Sequence, residues 1–290
     1  MMPTLDFIRP TSTTEVLDVL DRHGQEAAIL AGGTDLIPGL RQKAARFSGV
    51  KMLVDISAIE ELRQIRYSDN GMSIGTAVTF SEILGNDLLS EYYPLLVKAA
   101  VNLGSVQIRN RATIGGNFIN NAPCADSVPP LLVYEASVII QSKRGEKTVP
   151  LSDFLSSPYQ TRLEPDELVL HTLLPPVSEG FNGEFYKLGR RRGVAISRIT
   201  LAVLLRNNSG KVGDIRLAAG AVTPVGIRFT DLENDFRGRD IIPRELKQMS
   251  RELGKRILQE TGLRWSTAYK LPVTQQIFYQ ILSSLANSGG

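Results

Sequence analysis

The sequence predicts an α+β protein of two units, on three observations. Short apolar runs and helical periodicities mix irregularly as far as Pro175-Pro176. Beyond that pair the composition changes, and strand-like runs at hairpin spacing precede two long helical stretches. A length of 290 residues suits two domains at ~150 residues apiece. The boundary is expected near residues 176–182.

In chain order, Ser12-Thr13-Thr14-Glu15 fits a capping box, where a hydroxyl and a carboxylate satisfy two free amides reciprocally. Val16, Leu17, Val19 and Leu20 then share one helical face up to Gly24. Ala27 to Ala31 reads as a short buried strand that runs straight into Gly32-Gly33-Thr34-Asp35. Lys51 to Ile56 and Met72 to Gly75 read as further strands, and Tyr93 to Leu103 as a helix with Gly104 at its end. Thr113 to Ala125 is rich in turn formers. Pro129 and Pro130 suit the first turn of a short helix, after which Ser137 to Gln141 returns as a strand and turns at Lys143-Arg144-Gly145-Glu146. In the second unit Phe185 to Leu188, Ile199 to Leu205 and Ile215 to Ala219 read as an antiparallel sheet of three strands. Asn207-Asn208-Ser209-Gly210 forms the hairpin between the last two. Helices over about 244–260 and 272–285 close the chain, the second with Val273, Ile277, Phe278, Ile281 and Leu282 at helical spacing.

Composition narrows the function. With 42% hydrophobic and 22% charged residues and a net charge of +3, the chain reads as an ordinary globular protein without the basic excess of a nucleic-acid binder. No run reaches the ~18 apolar residues of a membrane span, and the N-terminus lacks the layout of a secretion signal, so the cytoplasm is the expected compartment. One cysteine, Cys124, excludes an intrachain disulfide and an all-cysteine iron–sulfur cluster, which needs four thiolates. The two histidines, His23 and His171, belong to no ligand motif, so no metal is expected.

The chemistry points to two diglycine segments. Ile29-Leu30-Ala31-Gly32-Gly33-Thr34-Asp35-Leu36 is the first, and Thr113-Ile114-Gly115-Gly116-Asn117 the second. Tandem glycines admit backbone angles closed to other residues and remove the Cβ that would block a ligand. Successive amides can then converge on one anion, and Thr34 and Thr113 add hydroxyl donors. Several such hydrogen bonds hold a pyrophosphate without a lysine clamp, at ~1.5–3 kcal/mol each. Neither a P-loop nor a G-x-G-x-x-G fingerprint occurs.

The block from Arg109-Asn110-Arg111-Ala112-Thr113-Ile114-Gly115-Gly116-Asn117 through Asn121-Ala122-Pro123 to Ala125-Asp126-Ser127-Val128-Pro129-Pro130-Leu131-Leu132 resembles the FAD subunits of the xanthine dehydrogenase and carbon monoxide dehydrogenase family. Ala31 to Asp35 is similar to that family's first pyrophosphate loop. Tyr186-Lys187-Leu188-Gly189-Arg190-Arg191 resembles the strand opening its second domain, and Trp265-Ser266-Thr267-Ala268-Tyr269-Lys270 the segment before its last helix. The resemblance covers nearly the whole chain. It implies an FAD-binding domain of the p-cresol methylhydroxylase or vanillyl-alcohol oxidase type over 1–177, in subdomains of about 1–56 and 57–177, and a small C-terminal α+β domain over 182–287. It also implies that residues 29–36 and 113–117 wrap the pyrophosphate. Asp126 then contacts the sugar-alcohol or adenosine side, Leu103 and Val169 lie against the cofactor, and Lys187 lies near it. Ile196 approaches the isoalloxazine ring, beside Ala195 where some members carry an aromatic residue.

The same resemblance implies partners. A molybdenum–pterin subunit oxidises the substrate, and a subunit with two [2Fe–2S] clusters passes electrons to FAD and on to NAD⁺, oxygen or a quinone. The assembly is a heterotrimer or its dimer, and this chain supplies no catalytic acid, base or nucleophile. Arg190, Arg191, Arg192 and Arg198 are solvated or, as a second choice, dock a partner. A free-standing flavoenzyme and a flavin-free scaffold are the rival readings. The first would bring its own substrate acid or base, which the C-terminal part lacks.

Overall fold

The computed structural model describes residues 4–191 and 195–287. Its first sheet is small and parallel: strand Met52–Asp55 lies between Asp6–Ile8 and Ala27–Leu30. Helix Thr13–His23 packs on it through Val16, Leu17 and Leu20, which join Val54 and Ile56 in one apolar cluster. The expected capping box forms by half. Ser12 accepts from the Glu15 amide at 3.2 Å, but the Glu15 carboxylate takes the Thr11 amide at 2.7 Å instead of closing on Ser12. A complete box caps helix Phe80–Leu84, through Thr79 and Glu82.

The second sheet is antiparallel and runs Ile65–Ser68, Gly71–Gly75, Leu168–Leu174, Ser137–Ser142, Gly145–Pro150. Helices fill the stretch between its second and fourth strands, including Pro94–Val101, Ile114–Asn120 and Val128–Val133. The turn-rich segment after Thr113 is therefore partly helical. Ile114 and Phe118, four residues apart, point into the core and are fully buried.

The third sheet is antiparallel in simple order: Phe181–Gly189, Ser197–Asn208, Lys211–Gly220 and a short fourth strand, Ile227–Arg228, beyond the expected three. Strand Ser197–Asn208 shows no polar alternation because both its faces are covered. Ile199, Leu201, Val203 and Leu205 pack under helices Pro243–Thr261 and Thr267–Asn287. On the other face Ala202 and Leu204 join the core of the preceding domain, with Ala218 beside them. The last helix begins five residues before the expected Pro272, which it carries inside. No helix among the described residues is long and apolar enough to cross a membrane.

Candidate cofactor cleft

A cleft of about 1230 Å³ opens between the parallel sheet and the five-stranded sheet, slightly larger than the ~300–1,000 Å³ usual for small-ligand sites. One wall is the strand Ala27–Leu30 and the loop after it. The other is the start of helix Ile114–Asn120, the Ala122–Ala125 turn and strand Leu168–Leu174. Leu103, Ile108 and Val169 supply apolar lining.

The first loop is held open by its glycines. A Cβ on Gly32 would stand 2.0 Å from the Arg111 carbonyl oxygen, so the loop presses against the main chain of the second segment. Gly33 has φ +70°, the left-handed region that favours glycine. The amides of Gly32, Gly33, Thr34, Asp35 and Leu36 find no acceptor among the described residues. These five NH groups, all on residues that line the cleft, are donors left without a protein partner, the kind of group that suits an anion.

The second diglycine is built differently from the expected exposed turn. Thr113 caps the helix: its hydroxyl accepts from the Gly116 amide at 3.1 Å, and its carbonyl from the Asn117 amide at 3.0 Å. The Gly115 amide donates to the Thr76 carbonyl at 3.1 Å. A Cβ on Gly115 would lie 1.8 Å from the Thr76 hydroxyl, so this glycine serves close packing. Gly116 alone of the pair lines the cleft, with Thr113 and Asn117. The Asn117 side chain is fixed by the Ser127 hydroxyl, which donates to it at 2.6 Å.

Of the other expected residues, Ile29, Ala31, Gly32, Gly33, Thr34, Asp35, Leu36, Leu103 and Val169 line the cleft, whereas Leu30, Ile114, Gly115, Asp126, Lys187 and Ile196 do not. Ile114 is fully buried. Ile196 is 77% exposed. Asp126 lies behind the wall residue Ala125, where Lys187 donates to it at 2.7 Å and Ser197 at 2.5 Å. Burial pushes the Asp126 carboxyl up, against the pull of Lys187 and Ser197. Lys187 also donates to the Asn102 carbonyl, next to Leu103. Arg198 stands 5.5 Å over the Tyr269 ring, and Arg192 falls outside the described residues.

Arg46, Tyr159 and Asn120 also line the cleft, and so does Cys124, whose thiol the sequence suggests is packed or in a loop wall. Cys124 lies within the family-like block and was legible by position. The other three carry no local signal. The cleft's two lining cations are paired, Arg46 with Asp35 and Lys51 with Glu26. Neither lining cation is therefore without an acidic partner. Among the described residues no group of His, Cys, Asp and Glu gathers to hold a metal.

The comparisons agree with this architecture. A family model described as the FAD binding domain in molybdopterin dehydrogenase matches residues 3–177, and one for the CO dehydrogenase flavoprotein C-terminal domain matches residues 184–285. The putative xanthine dehydrogenase FAD-binding subunit of Escherichia coli strain K12 is 30% identical, over 100% of this chain and 99% of that protein. The glyceraldehyde dehydrogenase medium chain of Sulfolobus acidocaldarius is 30% identical over 98% and 99%. A solved structure of carbon monoxide dehydrogenase from Hydrogenophaga pseudoflava, lacking the Mo-pyranopterin moiety of its molybdenum cofactor, matches with a TM-score of 0.91 and 26% identity over 100% of both chains. An α+β chain with a large cleft lined by a glycine loop, matched along its length, thus belongs to the family of FAD-binding domains of molybdopterin dehydrogenases.

Proposed function

We propose that this chain is the electron-transfer FAD subunit of a molybdenum hydroxylase complex. In this reading, electrons from [2Fe–2S] clusters of one partner subunit pass through its FAD to NAD⁺ or another acceptor, while a molybdenum–pterin subunit oxidises the substrate. The observation that carries the reading is the run Gly32 to Leu36, whose amides have no acceptor and whose residues line a cleft of about 1230 Å³. FAD fits the residues present: the amides take the pyrophosphate, and Thr34, Thr113, Gly116 and Asn117 flank it. Ile29, Ala31, Leu103 and Val169 shield the apolar parts of the cofactor from water. Lys187 and Asp126 act from behind the wall, fixing the main chain beside Leu103 and Ala125.

When bound, a flavin joins two-electron to one-electron chemistry, and that chemistry is the cofactor's own. The protein binds it, orients it and excludes water around it. The single cysteine agrees with clusters held on another chain. We place the complex in the cytoplasm, as a heterotrimer or its dimer. Mass spectrometry of the natively isolated complex tests the reading. The expected result is one FAD per copy of this chain together with an iron–sulfur and a molybdenum subunit. A colourless chain that travels alone would overturn it.

A further inference from the structure

One side chain crosses the cleft. Arg46 rides on the 3₁₀ turn Ala45–Phe47 of the first subdomain, with 31% of its side chain exposed. Its guanidinium donates to Asp35 at 2.5 Å, at the end of the acceptor-free loop, and to the Asn120 side chain at 3.2 Å on the facing wall. It also stands 4.6 Å from the centre of the Phe47 ring and 4.5 Å from that of Tyr159. Asp35 and Phe47 belong to the first subdomain, and Asn120 and Tyr159 to the second.

The far side of this contact is rigidly built. Tyr159 tips the hairpin between strands Leu155–Ser157 and Gln160–Thr161, with φ +62°, a costly angle for a tyrosine. Its amide donates to the Asn121 carbonyl at 2.9 Å. The fully buried Asn121 side chain donates to the carbonyls of Ser157 and Gln160 at 2.9 and 2.8 Å. The hairpin thus spends backbone strain to present one aromatic ring, half of it exposed, to one cation. Because the contact lies at the surface, it can part without opening the core.

We propose that Arg46 is the latch of the cofactor cleft, closing the two subdomains over an FAD-sized ligand and governing its entry and release. The proposal rests on the FAD reading above. The latch is made with the cleft empty or filled, so parting it at Tyr159, which keeps the Arg46–Asp35 pair, speeds passage both ways and leaves the equilibrium nearly unchanged. A direct contact to the cofactor's charge behaves otherwise, because its loss speeds release alone and weakens binding.

Stopped-flow flavin fluorescence on the full apo chain, with FAD as probe, separates these cases. For Arg46→Ala, association and dissociation should both quicken about tenfold, the scale of a half-exposed cation–π contact with its hydrogen bonds. Tyr159→Gly, which also relieves the positive φ, should do the same, and the double variant should be no faster than either single one. Arg46→Lys should resemble Arg46→Ala, since an ammonium cannot bridge Asp35 and Asn120 as a planar fork does. Faster dissociation with unchanged association, or rescue by lysine, overturns the latch in favour of a direct contact. Unchanged rates in both single variants also overturn it. A wild-type chain that takes up no FAD overturns the cofactor reading itself, which tells the two failures apart.

Discussion

The Lys187 ammonium lies 2.7 Å from the Asp126 carboxylate with both side chains at least nine-tenths buried, and the pair pins the C-terminal sheet to the wall of the cleft. Removing Lys187 leaves Asp126 buried without its counter-ion, to be carried unpaired or neutralised by taking up a proton. Such losses cost about 3–5 kcal/mol, whereas replacing both members is often close to neutral. Lys187→Met should therefore lower unfolding free energy by that amount in urea denaturation. Adding Asp126→Asn should restore a good part of it. Equal stability of the single and double variants would show that the charges are not coupled.

Neighbouring glycines should behave differently. Gly115→Ala forces a methyl group into the Thr76 hydroxyl, and overpacking of this kind costs about 1–3 kcal/mol. A Cβ on the exposed Gly116 meets only the Thr113 hydroxyl, at 2.9 Å. Gly116→Trp should keep the fold by circular dichroism yet fill the cleft and yield a chain without flavin absorption. A yellow Gly116→Trp protein with stoichiometric FAD would count against the site as drawn.

Stability should fall on mild acidification through His171. Burial, with the nearby Arg66 adding to it, holds its imidazole below the ordinary value near 6.5, and the Nδ1 atom has no partner. The folded chain thus binds this proton less tightly than the unfolded one. The contribution to stability is complete above pH 6.5 and is lost as pH falls through the lowered value. His171→Gln should flatten the stability profile below about pH 6.5, measured by urea unfolding at each pH. Identical slopes for the two proteins would exclude the histidine as the cause.

The only tryptophan, Trp265, is 87% exposed beside the equally bare Leu263. Its emission in the native chain should already be that of an indole in water, and acrylamide should quench it nearly as well as the free amino acid. Urea should then shift the maximum very little, so far-ultraviolet circular dichroism is the better monitor of unfolding.

The sequence made some of this legible and hid the rest for physical reasons. Gly32-Gly33 stood out because it follows an apolar strand directly and has a second diglycine as counterpart, and the structure adds why each glycine is needed. The segment after Thr113 was located but its conformation was not, because paired glycines argue against helix. Only the approach of Thr76 explains the absence of a side chain at Gly115. The long strand Ser197–Asn208 was found by its apolar run. Its partner Phe181–Gly189 was placed too short, since Asn182, Gly183 and Glu184 carry no strand pattern. Arg46 and Tyr159 could not have been paired. They are far apart in sequence, and tyrosine is a poor forecast of a left-handed turn.

The contact between Gly32 and the Arg111 carbonyl has a consequence for biosynthesis. The amide row takes its shape against main chain that is translated long afterwards, and the apolar wall at Val169 is translated later still. A ribosome-bound fragment ending before strand Leu168–Leu174 would carry every amide of the run Gly32 to Leu36 and still lack a chamber to retain a dinucleotide. Cofactor loading should therefore come late in the life of the nascent polypeptide, after the whole N-terminal domain has emerged.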